Sequence, residues 1–249
     1  MTAAHPLAWL ALLASLAGPA AADDLGGAAP GASAPAFAAV RERLLVQIRA
    51  EDAPRAPDAV ARQDLLGTRT VLVLDGEGGA PVRDVTVAEA AAWGRTPDEL
   101  IRTGLANLAR QHPPRVRATP PLRRGVRLNL FYGEHPFAAA YVLWVAEDGR
   151  CMGSEGALVS IPNQHAVLCH PVESSRAAHA YVALVSMAAD IVRGGDNPIV
   201  PHVFWYHDGA FEAQPVRIAG EMLRFERTEA FEALLERLPR DIHDPEGRY

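Results

Sequence analysis

The chain of 249 residues has a hydrophobic fraction of 49% and a charged fraction of 22%, as in ordinary globular proteins. Its net charge of −6 is spread over interspersed acidic and basic residues, so no basic stripe exists and nucleic-acid binding is not expected. All 24 basic residues are arginine. Without lysine there is no Schiff base and no P-loop, which excludes pyridoxal-phosphate enzymes and Walker-type nucleotidases. We expect no cofactor.

Residues 1–22 have the pattern of a secretory signal peptide. An apolar run from Leu7 to Leu16 is followed by Gly18-Pro19, and Ala20 to Ala22 form an A-x-A cleavage site before Asp23. The run is shorter than the roughly 20 residues that a membrane-spanning helix needs, which favours cleavage over a retained anchor. The sequence therefore predicts an exported protein, periplasmic or secreted, with no transmembrane anchor after signal cleavage.

Composition divides the rest of the chain into three parts. Residues 23–35 are rich in Gly, Ala, Pro and Ser, which is typical of a flexible linker. Residues 36–240 carry the periodic apolar patterns of a single globular domain, and the Pro- and Arg-rich segment at 112–125 is the candidate boundary between two lobes. Residues 241–249 are polar and predict a loosely attached tail.

The first half of the domain predicts a mixture of helices and strands. Apolar residues recur at helical spacing over 37–48 and predict an amphipathic helix, and a short helical piece is expected at 60–66. A buried strand is predicted at 70–74. The glycine-rich Asp75–Gly79 lacks the third glycine of a dinucleotide-binding loop, which favours a hairpin turn into a second strand at 82–85.

Two capping boxes predict two helix starts in quick succession. In Thr86-Val-Ala-Glu89 and Thr96-Pro-Asp-Glu99, a Thr hydroxyl accepts from an early backbone N–H, and the Glu reaches back to the cap. Proline also suits the first helical position of the second helix. The first helix is expected to end at Trp93-Gly94 and the second at about Gln111.

The second half predicts further strands and helices in the same order as the first. Strands are expected at 126–132, 156–161, 165–169, 202–207 and 210–214, and helices at 136–145, 175–193 and 228–238. Residues 216–224 extend the last strand or begin another. The predicted fold class is α+β, in which a mixed or antiparallel sheet with hairpins packs against several helices. The recurring order of strand, turn, strand and helix points to two similar lobes.

The chain has two cysteines, Cys151 and Cys169, on either side of the predicted turn Pro162-Asn163-Gln164. A hairpin folded at that turn returns Cys169 to the region of Cys151, and disulfides persist in exported proteins. We therefore favour a disulfide. The alternatives are two buried free thiols and metal ligation through His165-x-x-x-Cys169-His170, which lacks a second ligand pair, so no metal site is expected.

Three sequence blocks resemble the YtpQ-like family of bacterial proteins. They are Val85 to Leu108 with Ala92-Trp-Gly94, then Gly156 to Pro171 with Ile161-Pro-Asn-Gln-His165, then Leu184 to Ile218. The resemblance covers about half the predicted mature chain, and it implies a mixed α/β domain but no activity, because the family has no established function. The chain differs from the family pattern in its export signal, its cysteine pair and His165, where relatives tend to carry an acidic residue.

No serine-hydrolase elbow, zinc-protease helix, paired C-x-x-C or EF-hand loop is found, so catalytic residues remain unknown. A strand with aromatic and histidine side chains on both faces carries the candidate binding surface, drawn from His202, Phe204, Trp205, Tyr206 and His207. One face of this strand is expected to be core and the other to contact a ligand or partner. A candidate polar site is formed by Asn163, His165 and His170. The leading hypothesis is a non-catalytic exported domain that binds a protein or envelope component. The alternatives are a hydrolase with a dispersed active site and a purely structural envelope protein.

Overall fold

The structure, a computed structural model, describes residues 36–76, 81–195 and 197–240. The predicted signal peptide at 1–22, the linker at 23–35 and the tail at 241–249 lie outside the described residues. In the described ranges, α-helices α1 to α5 are Phe37–Val40, Val87–Ala92, Pro97–Gln111, Arg176–Gly194 and Glu229–Arg237, and the 3-10 segments are Arg41–Arg43, Arg123–Gly125 and Ala138–Glu147. None of the helices in these ranges is long and apolar enough to cross a bilayer.

The strands form three antiparallel sheets. They are β1 Leu44–Ala50, β2 Ala61–Arg62, β3 Thr68–Leu74, β4 Arg83–Asp84, β5 Arg115–Ala118, β6 Asn129–Tyr132, β7 Ala157–Asn163, β8 Ala166–Pro171, β9 Val203–His207, β10 Ala210–Gln214, β11 Val216–Ala219 and β12 Met222–Phe225. A small sheet has the order β1-β3-β2, with β4 also paired to β3. The large sheet has the order β10-β9-β7-β8-β6-β5, and β11 pairs only with β12. The predicted α+β class is confirmed.

Two hydrophobic cores cover the two faces of the large sheet. The first is built by the small sheet, α3 and the 3-10 segment at 138–147, and it takes Val159 and Phe204 from the large sheet. The second is built by α4 and α5, and it takes Leu158 and Trp205 from the neighbouring positions of the same two strands. Because successive side chains on a strand point to opposite faces, β7 and β9 are buried on both sides.

The predicted amphipathic helix at 37–48 is wrong beyond its first turn. Only Phe37–Val40 is α-helical, and Leu44–Ala50 is a strand that pairs with β3 along its whole length. Leu44 to Ile48 are buried, and such an almost continuous apolar run fits a helix face and a fully buried strand equally well. Pairing with β3 favours the strand. The helical piece expected at 60–66 is likewise replaced by the short strand β2, and the helix expected at 136–145 is a 3-10 segment.

Elements with strong local signals form as predicted. Both capping boxes are present, with the Thr86 and Thr96 hydroxyls accepting from the backbone N–H of Glu89 and Glu99. The long helix ends at Gly194, and the β9–β10 hairpin turns at Asp208-Gly209. The segment at 112–125, predicted as a lobe boundary, contains the edge strand β5, and its role as a boundary stays a prediction.

The predicted cysteine pair is brought together by the β7–β8 hairpin. Cys169 lies on β8 opposite Val159, and Cys151 lies in the turn before β7. The two cysteines are at disulfide distance, with Cα atoms 5.5 Å apart, and both are buried. The hairpin turn follows Asn163, one residue later than the centre of the predicted turn. The pair therefore ties the end of the 3-10 segment to the centre of the large sheet.

Candidate functional site

The structure corrects the predicted aromatic surface on β9 at Phe204 and Trp205. Phe204 is 0% exposed in the first core, and Trp205 is 5% exposed in the second. The Trp205 indole N–H donates to the Glu155 carbonyl at 2.8 Å, so its polar atom is also satisfied inside the protein. A surface role is wrong for both residues, because β9 lies inside the sheet with a core on each side.

The other three residues of that prediction have local partners. His202 Nδ1 accepts from the Val216 backbone N–H at 3.1 Å, and burial lowers the pKa of His202, which keeps this acceptor unprotonated. His207 stacks on Trp205 with ring centroids 3.7 Å apart and lies 3.2 Å from a Glu212 carboxylate oxygen. Tyr206 is half-buried beside Phe211. These side chains do not converge on one surface.

The predicted polar site is divided between the two ends of β8. Asn163 Oδ1 accepts from the His165 backbone N–H at 3.0 Å, so these two residues form the hairpin turn. His170 lies near the far end of the strand, where its Nδ1 is 2.9 Å from the Arg127 carbonyl. Five residues of extended strand separate the two histidines by about 16 Å. They therefore cannot act on one small substrate.

A cluster that the sequence analysis missed forms around His165. This histidine–tyrosine cluster consists of His112, His135, Tyr141 and His165. The rings of His112 and His135 have centroids 4.6 Å apart, and the Tyr141 hydroxyl lies 3.0 Å from His135 Nε2. Tyr141 also donates to the His112 carbonyl at 2.8 Å, and the Phe137 backbone N–H donates to His135 Nδ1 at 3.3 Å. These bonds assign the His135 proton to Nε2, from which it is donated to the tyrosine oxygen.

Electrostatics keep the centre of the cluster neutral. Burial, together with the positive charges that His112, His165 and Arg115 can carry, lowers the pKa of His135 from 6.5 to about 4. Burial raises the pKa of Tyr141 to about 12. His165 Nδ1 is buried without a hydrogen-bond partner among the described residues. Near neutral pH, this arrangement holds two uncharged groups and supplies neither a phenolate nucleophile nor an imidazolium acid.

A small apolar cavity lies beside the cluster. It has a volume of about 50 Å³, and its lining includes Phe131, Tyr141, Trp144 and Cys151. Within the described ranges, no group of three or more His, Cys, Asp or Glu side chains is arranged to hold a metal ion. The cavity is large enough for only a few atoms, and its walls offer little hydrogen bonding. We therefore regard the cluster as a packed polar element of the first core.

The low pKa of His135 predicts an acid-sensitive contribution to stability. The ordinary pKa is 6.5 and the folded pKa is about 4, so the unfolded chain binds more protons between these values. Stability that is fully present above pH 6.5 is therefore lost as the pH falls to about 4. We expect a loss of about 1–2 kcal/mol from this group, after allowing for its partial exposure.

Urea unfolding followed by circular dichroism between pH 7.5 and 4 measures this loss. H135Q is expected to remove about 1–2 kcal/mol of the difference between pH 7 and pH 4. H207Q, on the opposite side of the sheet, serves as the matched histidine control. An identical pH profile for wild type and H135Q would show that His135 titrates normally in the folded protein.

A second feature is a concave surface between α1 and α3, which we call the arginine groove. Its volume is about 490 Å³, and it is lined by residues that include Phe37, Arg41, Arg95, Glu99, Arg102 and Asn107. The α3 residues at positions 99, 102, 103, 106 and 107 recur at helical spacing, so one face of α3 forms the wall. The opposite face of the helix, with Ile101, Gly104 and Leu108, is buried, and the helix packs against β1.

Contacts from α3 hold the groove in shape. The Asn107 amide donates to the carbonyls of Arg41 at 2.7 Å and Leu44 at 2.9 Å, which fixes the 3-10 turn on the helix. The Arg95 guanidinium lies over the Phe37 ring, 5.1 Å from its centroid. The ring contact positions the Arg95 guanidinium without neutralising it.

The charge of the groove is mainly positive. Arg41, Arg95 and Arg102 are exposed, and within the described ranges no carboxylate lies at ion-pair distance from Arg41 or Arg102. Glu99 is the acidic lining residue, and its carboxylate accepts from the Thr96 backbone N–H at 3.0 Å. That bond lowers the pKa of Glu99, so the carboxylate stays ionised and hydrogen-bonded at the start of α3. The remaining charge favours an anionic ligand.

No family model, no curated protein and no solved structure matches this chain. The YtpQ-like resemblance therefore stays an expectation from the sequence blocks. In the structure those blocks correspond mainly to α2 and α3, to the β7–β8 hairpin, and to the region from α4 to β11. The first block supplies the α3 wall of the arginine groove.

Proposed function

We propose that this protein is a non-catalytic exported domain that binds a protein or envelope component through anionic groups on that partner. The observation that carries the proposal is the arginine groove, where Arg41, Arg95 and Arg102 are exposed on one concave surface. Arginine suits this role because its planar guanidinium donates two parallel hydrogen bonds to a carboxylate or a phosphate.

The groove supports binding more than catalysis. Its lining has no serine, cysteine or histidine among the residues that face it. The competing hypothesis, a hydrolase with a dispersed active site, would be favoured by a deep polar pocket that gathers His165, His170 and a carboxylate. Because the two histidines lie near opposite ends of β8, the geometry favours the binding hypothesis.

The strength of the interaction follows from the exposure of the arginines. An exposed ion pair contributes about 0.2–1 kcal/mol, and the charges of the groove act together on one ligand. Losing three such contacts corresponds to about a 3-fold to 160-fold loss of affinity, and reversing the three charges adds repulsion, so a loss of about 10-fold to 100-fold is expected for the triple reversal. Screening by salt weakens the same contacts, so the affinity is also expected to fall as the ionic strength rises.

The prediction for the groove is that R41E/R95E/R102E binds anionic probes about 10-fold to 100-fold more weakly than the wild-type protein. The matched control is R55E/R123E/R240E, which makes the same change in net charge at exposed positions outside the groove. Fluorescence anisotropy measures binding of a glutamate-rich peptide in one arm and of inorganic polyphosphate in the other. The two arms distinguish a carboxylate-bearing protein from a phosphate-bearing envelope component.

The control decides how a loss is interpreted. The groove proposal expects the control variant to stay within about threefold of the wild type, because its substitutions change only the distant field. Equal losses in both triple variants would show that net charge alone drives binding. Failure of the wild-type protein to bind either probe would overturn the proposal.

A further inference from the structure

The β11–β12 hairpin has an outer face that its own fold leaves uncovered. Strand residues alternate between faces, so Arg217, Ala219, Met222 and Arg224 share one side of this two-stranded sheet. All four are exposed, and Met222 is 63% exposed. The opposite side packs on the second core, where Val216 is buried and Phe225 contacts Tyr181. The outer face is therefore presented to something other than this domain.

The two arginines on this face are directly opposite each other. Arg217 pairs with Arg224 in the register of the hairpin, and opposed residues on one face have Cβ atoms about 5 Å apart. Like charges in this position destabilise a strand pair. Within the described part of the chain, no carboxylate lies at ion-pair distance from either residue. A shared anion placed between the two guanidinium groups would turn this repulsion into attraction.

The apolar side chain lies next to the charges. Met222 pairs with Ala219 beside the turn at Gly220-Glu221, so it is two positions nearer the turn than the arginine pair. Methionine is flexible and polarizable, which suits an irregular apolar environment. An exposed apolar side chain beside a cationic pair on one face matches the chemistry of a bilayer surface, where phosphates lie next to the acyl chains.

The tip is held in place by the body of the protein. Arg193 on α4 donates to the carbonyls of Gly220 and Glu221, both at 3.2 Å. Gly220 adopts a φ of 61°, a left-handed conformation that suits a tight hairpin turn. The outer face is therefore already ordered before binding, and little conformational entropy has to be lost.

We propose that the outer face of the β11–β12 hairpin docks on an anionic phospholipid bilayer. Arg217 and Arg224 contact lipid phosphates, and Met222 enters the interface between the headgroups and the acyl chains. Glu221 at the turn opposes this contact, because its carboxylate is repelled by the same surface. This interaction is independent of the arginine groove, which lies on α3 and α1.

The test is sedimentation of the processed chain, residues 23–249, with vesicles of phosphatidylglycerol and phosphatidylcholine. The full chain is avoided because the apolar run at 7–16 would itself partition into lipid. R217Q/R224Q is expected to lower the partition coefficient about 30-fold, since each arginine near an anionic surface contributes about fivefold. M222S is expected to lower it several-fold, and added salt should weaken binding of the wild-type protein.

Variants with opposite expected effects distinguish the loss of a lipid contact from the loss of the folded structure. E221Q removes the opposing charge and should raise the partition coefficient by up to about fivefold, with a melting temperature unchanged from the wild type, which excludes exposure of the core as the cause. R217Q/R224Q also removes a like-charge pair, so its melting temperature should not fall. The charge-matched control is R123Q/R240Q, and R41E/R95E/R102E tests whether the groove is responsible instead.

The outcomes separate this surface from the groove. Loss of vesicle binding in R217Q/R224Q, with binding retained in R123Q/R240Q and in the groove variant, supports the proposal. Unchanged binding in R217Q/R224Q would overturn it, as would equal binding to pure phosphatidylcholine vesicles. Loss in the groove variant alone would assign the lipid contact to the arginine groove.

Discussion

Replacing Trp205 with alanine is expected to lower the free energy of unfolding by about 3–5 kcal/mol. The side chain is 5% exposed and lies in the second core, where its ring centroid is 5.6 Å from that of Phe231. Alanine removes this packing and leaves a cavity that the surrounding sheet and helices fill only in part. It also leaves the Glu155 carbonyl without the indole donor.

Urea unfolding followed by circular dichroism measures the loss for W205A. W205F is the matched variant, because it keeps an aromatic ring and removes the indole N–H, so a smaller loss of about 1–2 kcal/mol is expected. Binding of the anionic probes should be unchanged in both variants, because Trp205 lies in the second core and none of the residues that line the groove belongs to that core. If W205A were as stable as the wild type and lost partner binding, the surface role predicted for Trp205 from the sequence would be correct.

Removing the cysteine pair is expected to destabilise the protein by about 3 kcal/mol. The two residues are 18 positions apart, and closing a loop of that length restricts the unfolded chain. Both side chains are buried, so C151A/C169A leaves only small cavities and tests mainly the loss of the link. The effect is large for one bond because it joins the 3-10 segment to the centre of the large sheet.

Reduction provides a second measurement of the same bond. Dithiothreitol should lower the stability of the wild-type protein to about that of C151A/C169A and should not change the variant. Mass spectrometry after alkylation of the unfolded protein counts the free thiols before and after reduction. Two free thiols in the protein before reduction would instead support the alternative of buried, unpaired cysteines.

The parts of the fold that were predicted correctly have signals contained in a few neighbouring residues. A capping box needs only a Thr and a Glu three positions apart, and both predicted boxes are present. The turn at Asp208-Gly209 is similarly local, because aspartate and glycine tolerate the left-handed backbone conformation found there. The formation of these caps and of this turn depends little on the rest of the chain.

The errors occur where distant pairing decides the structure. Residues 44–48 match a helix and a buried strand alike, and their pairing with β3 selects the strand. On β9, both alternating faces carry apolar side chains, and only the presence of a second core shows that Trp205 is buried. The sequence period assigns residues to faces, but the layers above and below the sheet determine whether a face is covered.

The residue clusters that the sequence analysis did not find also depend on contacts between distant segments. His112, His135 and His165 belong to no sequence motif, and they meet because β6 pairs with β8 and the 3-10 segment crosses the end of the sheet. The arginine groove likewise combines α3 with Arg41, which Asn107 holds from more than sixty positions away. The arginine pair on β11–β12 is nearer to a sequence signal, but its register appears only in the folded hairpin.

By itself, the sequence determined the α+β class, the capped helix starts, the β7–β8 and β9–β10 hairpins and the approach of Cys151 to Cys169. Each of these follows from turn residues, caps or a short alternation of apolar side chains, which act over a few positions of the chain. Only the tertiary structure decided which strand faces are covered, which histidines meet and which arginines remain exposed. These outcomes depend on packing between layers, because burial and charge pairing are properties of surfaces that distant segments create together.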